Sequence, residues 1–295
     1  MSNTLIMIPV FNGCEHIKRS LDSCLKQTLT SEVWVVDNQS TDSTQKIVNE
    51  YEDSFDNIKM VINENNLGRN GNLNRCIDLF MDSEYKYLKF LFSGDELPSD
   101  SINIVEIIFT NNDGLSIVNG LYIFNNGKSR KSSGKYFSSD CRVGIDVLVE
   151  QGVFPSSATG TLNSVTYSKK GIGNYRINPL FLGVAMFHND ILLNNGDIYY
   201  TNNVLGIFNL ESHSSFDKQF EYLYKYEYAF VKMFGLQSSK KYYSVQRYKS
   251  LEHKIAEQLV VDIIKIGKFK LLFSVIFKLV FQKFITAIEK LKKYK

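Results

Sequence analysis

The sequence predicts an α/β fold: a mostly parallel central sheet flanked by helices, followed by a helical C-terminal extension. Three observations carry this expectation. Strand-like apolar runs alternate with helix-spaced apolar residues through the first hundred positions. A short polar cluster follows each apolar run, where open parallel sheets hold their ligands. From about residue 216 onward the pattern turns almost wholly helical and tyrosine-rich.

The elements follow in order. Residues 4–10 are a short apolar run closed by Pro9, as in a buried strand. Ile17, Leu21, Cys24 and Leu25 recur at helical spacing, and Val33–Val36 forms a second strand. Ile47, Val48 and Tyr51 mark a helix, Ile58–Ile62 a third strand, Leu73, Ile77 and Phe80 another helix, and Tyr87–Phe92 a fourth strand. Residues 100–210 alternate helix-like and strand-like pieces with Gly- and Asn-rich turns, and a boundary is expected near Ser214 and Ser215.

A chain of 295 residues with 44% apolar and 22% charged residues suits a globular protein with one large domain and an appendage. The net charge of +3 gives no argument for a nucleic-acid partner. The four cysteines are widely separated, without metal-site or disulfide-framework spacing, which fits reduced thiols in the cytosol. No secretory leader precedes the first strand, and no uncharged span of membrane length interrupts the chain, so a cytoplasmic protein is expected.

Four clusters follow the four strands. The first is Pro9-Val10-Phe11-Asn12, which suits either a turn or the edge of a planar base. The second runs from Asp37 to Thr44: Ser40, Thr41 and Asp42 are placed to cap a helix, but capping does not explain Asp37 at the end of an apolar strand. A carboxylate there accepts hydrogen bonds from a pyrimidine N–H or a ribose hydroxyl. The third, Asn63–Asn74, has glycines for close backbone approach, amides at a helix start, and Arg69 within reach of a phosphate. The fourth is Ser93-Gly94-Asp95-Glu96, whose adjacent acids suit a surface turn or a hard divalent cation bridging diphosphate oxygens.

In this order and spacing the clusters resemble the inverting glycosyltransferase family 2, which has the GT-A fold for nucleoside-diphospho-sugars. The resemblance runs through residues 4–98 and resumes more faintly over 150–216. It implies a donor site made by Pro9, Phe11, Asn12, Asp37, Asn38, Ser40, Asp42, Asn66, Gly68, Arg69, Asn72, Ser93, Gly94 and Asp95. It also implies a divalent metal, Mn or Mg, with Asp95, Glu96 and His213 as candidate ligands. Two departures stand out. Of the family's Asp-x-Asp motif only the last acid remains, as Asp95, and the expected general base is missing before Gly196. Asp190 and His188 are the nearest candidates for that base, and on a helix they project to different sides.

Residues 265–295 interleave lysines with Phe, Leu and Ile around a single acid, Glu289. Such a helix suits either an anionic membrane face or a packed or dimerising surface. The sequence therefore reads as residues 1–215, a GT-A glycosyltransferase domain, and residues 216–295, a helical region with a basic amphipathic tail. The expected activity moves a sugar, UDP-linked, to a hydroxyl of a lipid-linked or surface-glycan acceptor, with inversion and a metal. It would be peripheral on the cytoplasmic face of the inner membrane. The alternative is a catalytically degenerate nucleotide-sugar-binding or scaffolding protein on the same fold.

Overall fold

A computed structural model describes residues 1–125, 130–133, 137–150, 162–177, 183–212, 232 and 235–265. The chain divides into two compact units, Met1–Asp217 and Lys218–Lys295. The residues around the expected boundary at Ser214 and Ser215, and the tail over 266–295, lie outside the described residues.

In the first unit, β1 (Thr4–Val10) is buried at every position except Pro9, which is half-buried. Near-continuous apolarity is what a central strand covered on both faces requires. It pairs in parallel with β2 (Glu32–Asp37) and β4 (Tyr87–Phe90), and β2 pairs in parallel with β3 (Ile58–Ile62). The helices α1 (Ile17–Leu25), α2 (Thr44–Glu52) and α3 (Gly68–Asp82) make the crossovers. Ile17, Leu21 and Cys24 of α1 and Val48 of α2 pack with Ile6, Ile8, Val33 and Val35 into one core.

The parallel pairing holds across these four strands, and the sheet beyond β4 is mixed. The remaining strands are β5 (Ile117–Asn125), β6 (Arg130–Ser133), β7 (Cys141–Val143), β8 (Val165–Ser168) and β9 (Ile198–Asn209). Among the described residues the order is β3-β2-β1-β4-β8-β5-β9-β7, with β6 on β5. β8 runs antiparallel to both β4 and β5, while β9 is parallel to β5 with register shifts between Asn119 and Tyr122. Helix α4 (Ser101–Asn111) covers this half through Val105, Ile108 and Phe109, and Phe109 stacks on Tyr87 with ring centroids 4.1 Å apart. Three further helices, α5 (Ile145–Glu150), α6 (Lys169–Ile172) and α7 (Gly183–Asn195), complete the described part of the unit.

The second unit contains α8 (Val245–Lys265), preceded by a 3-10 turn at Lys240–Tyr242. Ser239 ahead of that turn is buried, and its hydroxyl donates to the Gly235 carbonyl (2.6 Å).

Candidate donor site at the carboxyl ends of the strands

The carboxyl ends of β1, β2 and β4 bring the first, second and fourth polar clusters together, and the end of β3 adds the third. Asn12 and Gln39 both adopt left-handed backbone, with φ of 52° and 66°. For residues other than glycine this conformation is uncommon, and it clusters where a chain is held for function. Bonds between the loops hold it here. The Asn12 N–H donates to Ser40 Oγ (2.8 Å), and Asn12 Oδ1 accepts from the Thr41 N–H (2.8 Å). Asp42 takes the N–H groups of Thr44 (2.9 Å) and Cys14 (3.1 Å). Burial alone would raise its carboxyl, but the hydrogen bonds from Thr44 and Cys14 outweigh burial and hold it at about 2. Ser40 and Asp42 therefore work as internal fasteners between β1 and β2.

Asn38 is spent in the same way. Its Nδ2 donates to Asn66 Oδ1 (2.9 Å), and its Oδ1 accepts from Asn63 Nδ2 (3.0 Å) and the Leu67 N–H (2.9 Å). Asn72 accepts from Asn63 Nδ2 (2.8 Å) and donates to the Val36 carbonyl (3.0 Å). Gly68 opens α3 at φ 69°, where a side chain would be strained, and Arg69 is exposed on that first turn. The asparagine-rich cluster is thus the scaffold of the β2 and β3 exits.

Asp37 is different. It is fully buried, and its Oδ1 accepts from the Ser40 N–H (2.9 Å) and Gln45 Nε2 (2.8 Å). Its Oδ2 is enclosed without a hydrogen-bond partner among the described residues. A buried acceptor left unmade costs about 1–3 kcal/mol, more for a charged group. Phe11 stands beside this loop with half of its surface exposed, at 49%.

At the exit of β4, Gly94 has φ 93°, and a Cβ there would lie 2.2 Å from Ser212 Cβ. Only glycine lets the turn after β9, Leu210–Ser212, seat against this loop. Ser20 Oγ accepts the Gly94 N–H (2.8 Å) and donates to the Asp95 carbonyl (2.8 Å), and Ser93 Oγ donates to the Gly13 carbonyl (3.4 Å). Asp95 is fully buried. Its Oδ1 accepts from the Asn209 N–H (2.9 Å) and its Oδ2 from Asn163 Nδ2 (3.2 Å). Half-buried Glu96 accepts from Asn209 Nδ2 at 3.0 Å. Arg19 of α1 pairs with Glu211 of the covering turn at 2.7 Å.

Of the candidate metal ligands, Asp95 and Glu96 are adjacent, and His213 lies outside the described residues. Among the described residues no three His, Cys, Asp or Glu side chains gather to cage an ion unaided. Asp95 and Glu96, each bonded to amide donors, would be the residues to hold a hard cation, which would supply positive charge beside a diphosphate.

The two base candidates separate. His188 on α7 is enclosed, hydrogen-bonded to the Tyr167 hydroxyl and packed beside Phe187. Burial lowers its pKa to about 3, so it is neutral and a weak proton acceptor. His188 is thus a buried residue of the core, enclosed among aromatic rings. Asp190, two residues on, is only half-buried, and burial raises its carboxyl above the ordinary value. Asn163 and Asn209, which hold Asp95, were not singled out from the sequence. They are 68 and 114 residues from it in the chain, and no local pattern announces such contacts.

The sheet order, with its polar loops at the carboxyl ends of the strands, is that of a GT-A fold. Residues 5–142 match the model of the family Glycosyl transferase family 2. The chain is 26% identical over 187 residues to a GalNAc(5)-diNAcBac-PP-undecaprenol beta-1,3-glucosyltransferase of Campylobacter jejuni, covering 62% of this chain and 57% of that protein. It is 31% identical over 100 residues to a poly(ribitol-phosphate) beta-glucosyltransferase of Bacillus spizizenii, covering 33% of this chain and 16% of the other. The chain thus spans well under two thirds of the length of these relatives. Among solved structures it is similar in fold to S. aureus TarS 1–349 in complex with UDP-GlcNAc, with TM-score 0.65, 16% identity, and 88% and 72% of the two chains covered. A mannosyltransferase of Pyrobaculum calidifontis in complex with GDP-Man and Mn2+ aligns with TM-score 0.54 and 10% identity over 90% and 75% of the chains.

Proposed function

We propose that the protein is an inverting glycosyltransferase that takes a sugar from a nucleoside-diphosphate sugar, UDP-linked, to a hydroxyl of a lipid-linked or surface-glycan acceptor. The observation that carries this reading is the buried, unpartnered Oδ2 of Asp37 at the end of β2. It is an acceptor for the ring N–H of a pyrimidine, and the exposed Phe11 ring offers a face for the base. The family match over 5–142 and the relatives named as transferases to lipid-linked or polyol-phosphate chains support it.

In this scheme Asp95 and Glu96 face the donor diphosphate, together with a Mn or Mg ion. When bound, that ion supplies charge stabilisation to the departing diphosphate. Asp190 takes the acceptor hydroxyl proton, and its raised carboxyl makes it a better base than an ordinary aspartate. The acceptor oxygen forms a bond to the sugar carbon from the face opposite the diphosphate. The carbon–oxygen bond to the diphosphate breaks, its electron pair leaves with the nucleotide, and the configuration inverts.

The basic, aromatic tail over 265–295 would hold the protein against the anionic cytoplasmic face of the inner membrane, where a lipid-linked acceptor is presented. No helix among the described residues is long and apolar enough to cross a membrane. Co-sedimentation with phosphatidylglycerol vesicles, lost on deleting 266–295, tests this part; unchanged sedimentation removes it.

The enclosure of His188 leaves a single base candidate and favours one other reading, a nucleotide-sugar-binding protein without turnover on the same fold. Incubation with a panel of UDP- and GDP-sugars, with nucleotide release as readout, decides between them. Release with at least one donor supports the transferase. UDP binding without release from any donor supports the degenerate protein.

A further inference from the structure

We infer that Asn209 is a positioning residue for the acid pair Asp95–Glu96, an inference that rests on the donor-site reading above. In the sheet order β8 and β5 lie between β9 and β4, so β9 is no neighbour of β4, yet its C-terminal end reaches the exit of β4. An antiparallel bridge joins Glu96 to Ile207, with N–H to carbonyl distances of 3.0 and 2.8 Å. Two residues on, Asn209 uses every polar group it carries. Its N–H donates to Asp95 Oδ1 (2.9 Å), and its Nδ2 donates to Glu96 Oε1 (3.0 Å) and to the Gly94 carbonyl (2.8 Å). Its Oδ1 accepts from Asn125 Nδ2 (2.7 Å), which fixes the amide orientation. The residue is buried, so these bonds are shielded from water.

The same strand sets the second hold on Asp95. A Cβ at Gly206 would lie 2.4 Å from the Asn163 carbonyl oxygen, so β9 packs directly on the turn whose Asn163 donates to Asp95 Oδ2 (3.2 Å). The donors that Asn209 and Asn163 give these two acids are neutral amides. A Lys or Arg at position 209 would pair with them and compete with a cation. An asparagine adds no positive charge of its own to compete with the ion that accompanies a diphosphate. Asn209 touches neither base nor sugar in this account; it acts through the acids.

The test is calorimetric titration of the full chain with UDP, in MnCl2 and separately in EDTA, for the wild type, Asn209→Leu and the uncharged Asn209→Ala, with thermal melts alongside. The expected result is wild-type UDP affinity in EDTA for both variants, since Asp37 is intact. The gain in affinity that manganese gives the wild type should fall by about tenfold or more, the worth of a hydrogen bond to a charged group. If Asn209→Leu does not fold, Asn209→Ala carries the test, because it removes the Nδ2 donors to Glu96 and the Gly94 carbonyl and adds no charge, while the main-chain N–H to Asp95 stays. A manganese gain within about twofold of wild type in a folded variant overturns the inference, as does a wild type with no manganese gain. A wild type that binds no UDP even with manganese overturns the donor-site reading itself, and this inference falls with it.

Discussion

Lys89 of β4 and Thr166 of β8 face each other across an antiparallel pair, and both Nζ and Oγ1 are enclosed without a hydrogen-bond partner among the described residues. Burial lowers the Lys89 ammonium to about 7 from an ordinary 10.5. The folded state therefore holds this proton less tightly than the unfolded chain. The penalty is fully present below about pH 7 and is relieved as pH rises toward 10.5, so stability increases with pH through that window. Lys89→Met is expected to stabilise the protein at pH 7 by on the order of a few kcal/mol and to flatten this slope. Denaturant unfolding at pH 7 and pH 9 measures both; a destabilised variant with the slope intact contradicts the assignment.

Asp37→Asn keeps the shape at the end of β2 and replaces one carboxylate oxygen by a donor. With Oδ2 as the acceptor for the base, UDP affinity should fall by about 1.5–3 kcal/mol, roughly ten- to a hundredfold, with little change in melting temperature. Calorimetry with UDP reads the first quantity and a thermal melt the second.

Asp190→Asn and His188→Phe should separate cleanly. The first is expected to lower kcat by about a hundredfold or more while leaving UDP affinity alone, as loss of a general base does. The second strips the Tyr167 hydroxyl of a buried partner and should cost about 1–3 kcal/mol of stability, with turnover per folded molecule retained. Equal loss of kcat in both variants would return His188 to the site.

Gly94→Ala places a Cβ 2.2 Å from Ser212 Cβ at a backbone φ of 93°. The turn after β9 must shift, so the melting temperature should drop, with a strain of about 1–3 kcal/mol, and UDP–manganese affinity should fall with it. A variant with unchanged melting and binding would show that this turn does not depend on Gly94.

The first four strands were legible because a strand covered on both faces cannot hide its composition: β1 reads as one apolar run, and its alternation with helix-spaced residues gave the parallel half of the sheet. The polar clusters were legible as loops at the strand ends, but not which of their atoms are already hydrogen-bonded. Ser40, Asn38 and Asn72 have the composition of ligand-binding residues and spend their bonds on Asn12, Asn66 and the Val36 carbonyl, whereas Asp37 Oδ2 has no partner among the described residues. The mixed half was not legible, because β8 pairing with β4 and β5 joins segments with no local signal of partnership. The depth of His188 was hidden for a related reason: helical spacing gives the side it faces but not how deeply that side is covered, and Phe187 and Tyr167 pack against it.

The central claim is that the strand-end acids form one donor site, and titration of UDP with manganese into wild type and Asp95→Asn tests it most directly. The account predicts saturable binding by the wild type, and affinity reduced by about tenfold or more in the variant, which keeps the shape of the buried side chain. No binding by the wild type, or equal binding by the two proteins, would contradict it.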